Sequence, residues 1–316
     1  MNKSLISVII PAYNEEECVD ELASRLQMIM AKESTYNFEI YIIENGSIDS
    51  TWEKLQNIAK KDSRFKILKL SRNFRMDGGL TAGLEYVVGD ACVLMTADLQ
   101  DPPELISDFL RLWEQGYENV YGVVTKRDGT GLLRKMNSNL FYWVAGKLTD
   151  GRIPRNASDF RLVDKKVYET VRKMDERNRF VRGLFAWVGF KSIGVPMIRP
   201  PRFGGVSNAT TFKVIDLAFK GIFANSYKPL KLITVFGISL SLFSFISVIP
   251  LSILWFVNGV PFAGFGTLVS LAILVFGLIS LMLGILSEYI GLIYEEVKSR
   301  PNFIVSEKVN LALEDK

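Results

Sequence analysis

The sequence predicts an α/β domain built on a mostly parallel sheet, followed by a C-terminal two-helix transmembrane hairpin. Three observations carry this prediction. Apolar β-rich runs alternate with helically periodic segments, the runs are continuous rather than alternating, and a long stretch free of charge begins after Lys231. Alternation of strand and helix signals a parallel sheet wrapped by helices. Runs such as SVII and IYII suit strands buried on both faces.

The strands are expected at residues 5–10, 38–43, 65–70, 91–95 and 119–124. Asp101 precedes Pro102, Pro103 and Glu104, which places a capping side chain before prolines suited to a first helical turn. After Arg127 the rhythm weakens, and two amphipathic segments follow, at 132–148 and 211–223. The second leads through Lys228 and Pro229 into the apolar region, as an in-plane juxtamembrane helix would (211–229). The globular domain is thus assigned to residues 1–210.

From Leu232 to Ser287 there is no Asp, Glu, Lys or Arg. One helix of that length would run to roughly 84 Å against a hydrocarbon core of about 30 Å. The chain therefore turns, at Asn258, Gly259 and Pro261, giving helices at about 232–257 and 265–289 within a membrane unit of 230–292. Lys220, Lys228 and Lys231 flank its entry, and Lys298 and Arg300 its exit. The connecting turn carries no basic residue, so the domain and both ends are expected at the cytoplasmic face of a cell membrane. No signal peptide is recognisable at the start. Gly277, Ser280 and Gly284 permit close helix packing and hence self-association. The segment 293–316 reads as a cytoplasmic tail, polar and poorly ordered beyond Asn302.

Composition excludes several chemistries. The chain of 316 residues has no histidine, so any general base is a carboxylate or another non-imidazole group. Cys18 and Cys92 lack metal-ligand spacing, and no G-x-G-x-x-G follows the first strand, which argues against a dehydrogenase. A formal charge of +4, concentrated beside the apolar region, points to anionic lipid headgroups and not to nucleic acid.

Ligands of open α/β sheets bind beyond the carboxyl ends of the strands. There the sequence places Pro11-Ala12-Tyr13-Asn14-Glu15-Glu16, Glu44-Asn45-Gly46-Ser47 and Thr96-Ala97-Asp98-Leu99-Gln100-Asp101. So many carboxylates on one rim call for a cation or a hydrogen-bonding ligand between them. In an extended strand end Asp98 and Gln100 point the same way and can share one ion.

With these motifs the chain resembles the family 2, GT-A fold glycosyltransferases, in particular the polyprenyl-phosphate branch that includes bactoprenol glucosyltransferases and dolichol-phosphate mannose synthases. The resemblance rests on VIIPAYNEEE, ENGSIDST, SRNFRMDGGLTAGL, TADLQDPPE, SDFRLVD and PRFGGVS, in that order along the chain. It implies inverting transfer of a hexose from a nucleotide sugar, UDP-glucose before GDP-mannose, to a polyprenyl phosphate. It implies a nucleotide pocket at Pro11, Tyr13, Glu15, Glu44, Asn45 and Asp98, and Mg²⁺ or Mn²⁺ on Asp98 and Gln100. Asp159 matches the position of the base, and Arg134, Arg161 and Arg202 match phosphate-holding positions. The chain departs from the family where Glu44-Asn45 replaces two aspartates, where Thr96 replaces an aspartate, and where Gly205 and Asn208 flank Val206-Ser207. No QxxRW-like segment is present, which argues against a processive polysaccharide synthase. A non-catalytic nucleotide-binding scaffold is the alternative from another class.

Overall fold

The computed structural model describes residues 3–127, 156–201, 203–204, 230–231, 233–239, 242, 246, 250, 253, 257 and 264–311. Within them one eight-stranded sheet runs in the order β7-β5-β6-β4-β1-β2-β3-β8. The strands are β1 Leu5–Ala12, β2 Asn37–Glu44, β3 Phe65–Leu70, β4 Ala91–Leu94, β5 Asn119–Arg127, β6 Ala157–Asp164, β7 Ser192–Arg199 and β8 Val305–Val309. The centre is parallel, β4-β1-β2-β3, as the continuous apolar runs require. β6 and β8 run antiparallel to their neighbours, so the sheet is mixed at both sides.

Helices α1 Val19–Lys32, α2 Thr51–Lys61 and α4 Ile106–Glu114 cover one face. Helices α3 Arg75–Tyr86, α5 Lys165–Arg172 and α6 Val181–Trp187 cover the other. α3 lies close on β1 because it presents Gly79 and Gly83 to the strand. A Cβ at Gly83 would stand 2.2 Å from Ile9 Cγ2, and one at Gly79 would stand 2.9 Å from Pro11 Cβ. Each side chain of β6 has a fixed face: Phe160 and Leu162 enter the α1/α2/α4 core, and Val163 enters the α3/α5/α6 core. Asp159 and Arg161, of the same parity as Val163, face α6.

The last helix, α7, spans Phe265–Lys298 and continues nine residues beyond the expected limit of 289. Among the described residues it contains the one helical stretch long and apolar enough to cross a membrane. Leu268, Leu271, Phe276, Leu283, Ile290 and Val297 on it are each more than half exposed. The residues at 230–231 and 233–239 are helical and lie beside it: Tyr289 meets the backbone of Leu230, and a Cβ at Gly237 would touch Met282. The amphipathic segments at 132–148 and 211–229 lie outside the described residues.

The described residues beyond Asn302, 303–311, are ordered, contrary to the polar composition of the segment. After Ser299, in the left-handed conformation, the chain returns to the sheet, and β8 pairs with β3. Phe303, Val305 and Leu311 pack into the core beneath α3, and the Asn310 amide donates to the carbonyls of Ala59 and Phe65.

Candidate active site

The order reversal of the sheet falls between β1 and β4, and the expected site residues gather at the carboxyl ends of these strands and of β2. The β1–α1 and β2–α2 loops are zipped together. Asn14 N–H donates to Ser47 Oγ, Ile48 N–H to Asn14 Oδ1, Glu15 N–H to Thr51 Oγ1 and Ser50 N–H to Glu16 Oε2. Between them lies a hollow of about 390 Å³ lined by Asn14 to Cys18 with Ile48 and Asp49. Its charged groups are all carboxylates, so it suits hydroxyl and N–H donors and repels phosphate.

Pro11, next to last in β1, lies under Gly79, and Tyr13 stands half-buried at the rim. Glu44 is fully buried. One of its carboxylate oxygens accepts from Ser47 N–H, and the other, Oε2, has no hydrogen-bond partner among the described residues. An orphaned buried acceptor is costly, so this oxygen marks a place where a ligand donor fits. Asn45 is otherwise engaged. Its Oδ1 accepts from Phe74 N–H and its Nδ2 donates to Arg75 O, both at 2.9 Å, which pins the loop before α3.

The Asp98-Leu99-Gln100 triplet is not an extended strand end. Leu99 has φ +57°, and Gln100 N–H folds back onto Asp98 Oδ1 at 3.2 Å, so the two residues sit on a turn. Asp101 does not cap the following helical turn either. It is fully buried; its Oδ2 accepts from Thr96 N–H at 3.1 Å, and its Oδ1 accepts from Ser158 Oγ and Arg199 Nη2. The Thr96 hydroxyl lies 2.7 Å from Asp98 Oδ1 and 2.8 Å from Asp101 Oδ2. A hydroxyl has one proton, so the second contact is a hydrogen bond only when a carboxyl carries another. Burial pushes the Asp101 pKa up, against the opposing pull of Arg199 and Thr96, which makes Asp101 the group to hold it. Gln100 Nε2 donates to Pro200 O at 3.4 Å, leaving its carbonyl oxygen directed elsewhere. A carboxylate and an amide oxygen are hard donors of the kind that Mg²⁺ or Mn²⁺ takes.

The strand register carries Asp159 to the same rim. Leu94 pairs with Arg161, which sets Asp159 opposite residue 96, two positions from Asp98. Both Asp159 oxygens accept from Arg182 of α6, Oδ1 from Nε at 2.9 Å and Oδ2 from Nη2 at 2.5 Å. Burial alone would raise the Asp159 pKa, but Arg182, then Arg161 and Arg199, hold it below the usual carboxylate range. Arg161 is only 4% exposed. It lies over the Phe185 ring and donates to the carbonyls of Ser158 and Asp159. Burial draws its pKa down to about 10, with the Asp159 charge opposing. Asp77 of α3 accepts from Val181 N–H at 3.0 Å, fixing the first turn of α6. Burial, with the nearby Asp159 charge, lifts the Asp77 pKa to about 6, while Val181 N–H, Arg182 and Arg179 work against it.

Arg134 and Arg202 lie outside the described residues. Arg182, Asp77, Arg199 and the bridging hydroxyl of Thr96 escaped sequence reasoning. The one signal for Arg182 was the basic run at Arg177, Arg179 and Arg182, which has no helical or strand period.

A mixed α/β sheet with an Asp-x-Gln turn and a second carboxylate at its carboxyl rim fits a glycosyltransferase of the GT-A class. The family described as Glycosyl transferase family 2 matches residues 7–172, and the chain belongs to this family. It is 38% identical over 305 residues to the uncharacterized glycosyltransferase YkcC of Bacillus subtilis, covering 96% of this chain and 94% of that protein. It is 38% identical over 302 residues to the uncharacterized glycosyltransferase sll0501 of Synechocystis, covering 96% and 95%. It is 33% identical over 300 residues to the SfII prophage-derived bactoprenol glucosyl transferase of Shigella flexneri, covering 95% and 97%.

Proposed function

We propose that this transferase moves a hexose, glucose from UDP-glucose in the first instance, onto polyprenyl phosphate at the cytoplasmic face of a membrane, inverting the anomeric centre. The observation that carries this reading is the full-length likeness to a bactoprenol glucosyl transferase, together with the Asp98–Gln100 turn facing Asp159 and Arg182 across β4 and β6. The resulting lipid-linked sugar would serve surface glycan modification.

Asp98 and Gln100 are the residues that would hold Mg²⁺ or Mn²⁺, and a bound ion would supply positive charge for the leaving diphosphate. Glu44, Glu15 and Tyr13 line the nucleoside side, where the orphaned Glu44 Oε2 accepts from a base or ribose donor. Pro11 and Asn45 shape that pocket from beneath, Asn45 by holding the loop at Phe74 and Arg75. Arg161 contributes positive potential from within the sheet, and Arg134 and Arg202 are assigned to the phosphates of donor and acceptor. Thr96 and Asp101 keep the Asp98 carboxylate in place.

A membrane location is supported by the exposed apolar side chains of α7, which only a non-aqueous surrounding accommodates at such density. Two spans are supported by a parity argument. β8 pairs with β3, so the chain after α7 lies on the same side as the domain. If α7 crosses once, the chain must cross once more before residue 265. The contacts of 230 with 289 and 237 with 282 fit an antiparallel pair, since each couple sums to the same number.

The test is incubation of the purified protein with Mg²⁺ or Mn²⁺, a short polyprenyl phosphate and a panel of UDP- and GDP-sugars, read by mass spectrometry of the lipid. One donor is expected to give product, lost with EDTA and in Asp98→Ala. Nucleotide binding without product from any donor would favour the non-catalytic scaffold.

A further inference from the structure

Among the described residues Arg161 and Arg182 both lie against Asp159, and the structure separates them. Arg161 is buried, stacked on Phe185 and spent on two main-chain carbonyls. Arg182 is about a quarter exposed (26%), at the surface of the rim, and is held from two directions. Asp159 takes its Nε–Nη2 edge, and Asp77 fixes the backbone of the preceding residue through Val181 N–H.

We propose that Arg182 receives the phosphate of the acceptor, and that Asp159 is its positioning residue rather than a general base. The inference rests on the proposed function, in which the nucleophile is a phosphate monoester. In that reaction the phosphate oxygen forms a bond to the anomeric carbon, the bond from that carbon to the diphosphate oxygen breaks, and its electron pair leaves with the nucleoside diphosphate. The attacking oxygen of a dianion carries no proton, so none has to be removed. A carboxylate bound at both oxygens by one guanidinium is ill-suited to take a proton. Unneutralised, it would also repel the incoming phosphate. Paired, it turns a flexible arginine into a fixed donor beside the metal turn.

The experiment compares full-length wild type, Arg182→Ala, Arg182→Lys and Asp159→Asn, varying donor and short polyprenyl phosphate separately over a range of pH. Arg182→Ala is expected to raise the acceptor KM by about tenfold or more while the donor KM stays within about twofold, and Arg182→Lys to fall between. Asp159→Asn is expected to lower kcat/KM for the acceptor by about tenfold, chiefly through KM, with the acidic limb of the kcat profile still at the wild-type pH. An intact donor KM shows that a variant is folded. An unchanged acceptor KM in Arg182→Ala, or loss of the acidic limb with a collapse of kcat in Asp159→Asn, overturns the inference while leaving the proposed reaction standing. Wild type that transfers sugar only to acceptors lacking a phosphate overturns the proposed function itself.

Discussion

Asp77 joins two helices through one hydrogen bond and sits where burial disfavours its charge. Its pKa of about 6 lies above the value of about 3.9 for an exposed aspartate, so the folded chain holds its proton more tightly than the unfolded one. The stabilisation from that proton is complete below about pH 4 and is lost as the pH rises through about 6. Asp77→Asn keeps an acceptor for Val181 N–H and cannot ionise. Its melting temperature is therefore expected to gain on that of wild type between pH 5 and pH 7.5; a gap that stays constant with pH would show that the charge costs the fold nothing. At this scale the sequence was partly legible. The segment from Thr96 to Asp101 stands out because it directly follows an apolar run. The roles of Thr96 and Asp101 within it do not, since they depend on β6 and β7 delivering Ser158 and Arg199 to one buried carboxyl.

The five strands read from apolar runs are all present; β1, β2 and β4 are buried on both faces along nearly their whole length, while β3 and β5 keep one partly exposed face. β6 was legible as a motif and not as a strand, since it carries Asp159 and Arg161 on one face and Phe160 and Leu162 on the other. β8 was illegible because VSEKV, an edge strand, shows water three charged or hydroxyl side chains, so composition alone gives a disordered tail. Its stability comes from pairing with β3 and from Phe303, Val305 and Leu311 beneath α3. Truncation after Asn302 removes these three partly buried side chains and leaves the β3 edge unpaired. A loss on the order of 3–6 kcal/mol is expected, at about 1.5–3 kcal/mol for each fully buried residue with partial burial discounted. A denaturant midpoint in detergent unchanged by the truncation would show β8 to be an ornament.

For the whole molecule, β8 does more than close an edge. Glu296, near the end of α7, accepts from the N–H groups of Arg177 and Asn178, and Asn302 donates to Glu176 O. The same chain thus leaves the apolar helix, touches the segment just before α6, and joins the sheet. The helix is tied to the side of the domain that carries Arg182. That arrangement suits an enzyme whose acceptor is confined to a bilayer, and it makes topology testable with native cysteines out of the way, since Cys18 and Cys92 are buried. In intact cells, Ser306→Cys is expected to resist a membrane-impermeant thiol reagent and to react after lysis. Asn258→Cys, in the turn that the sequence predicts between two spans, is expected to react in intact cells. If both resist until lysis, the segment before α7 never reaches the far side. Because β8 holds residue 306 beside the domain, α7 could not then be a complete span, and the enzyme would have to sit on the bilayer surface with its apolar helices lying in the interface.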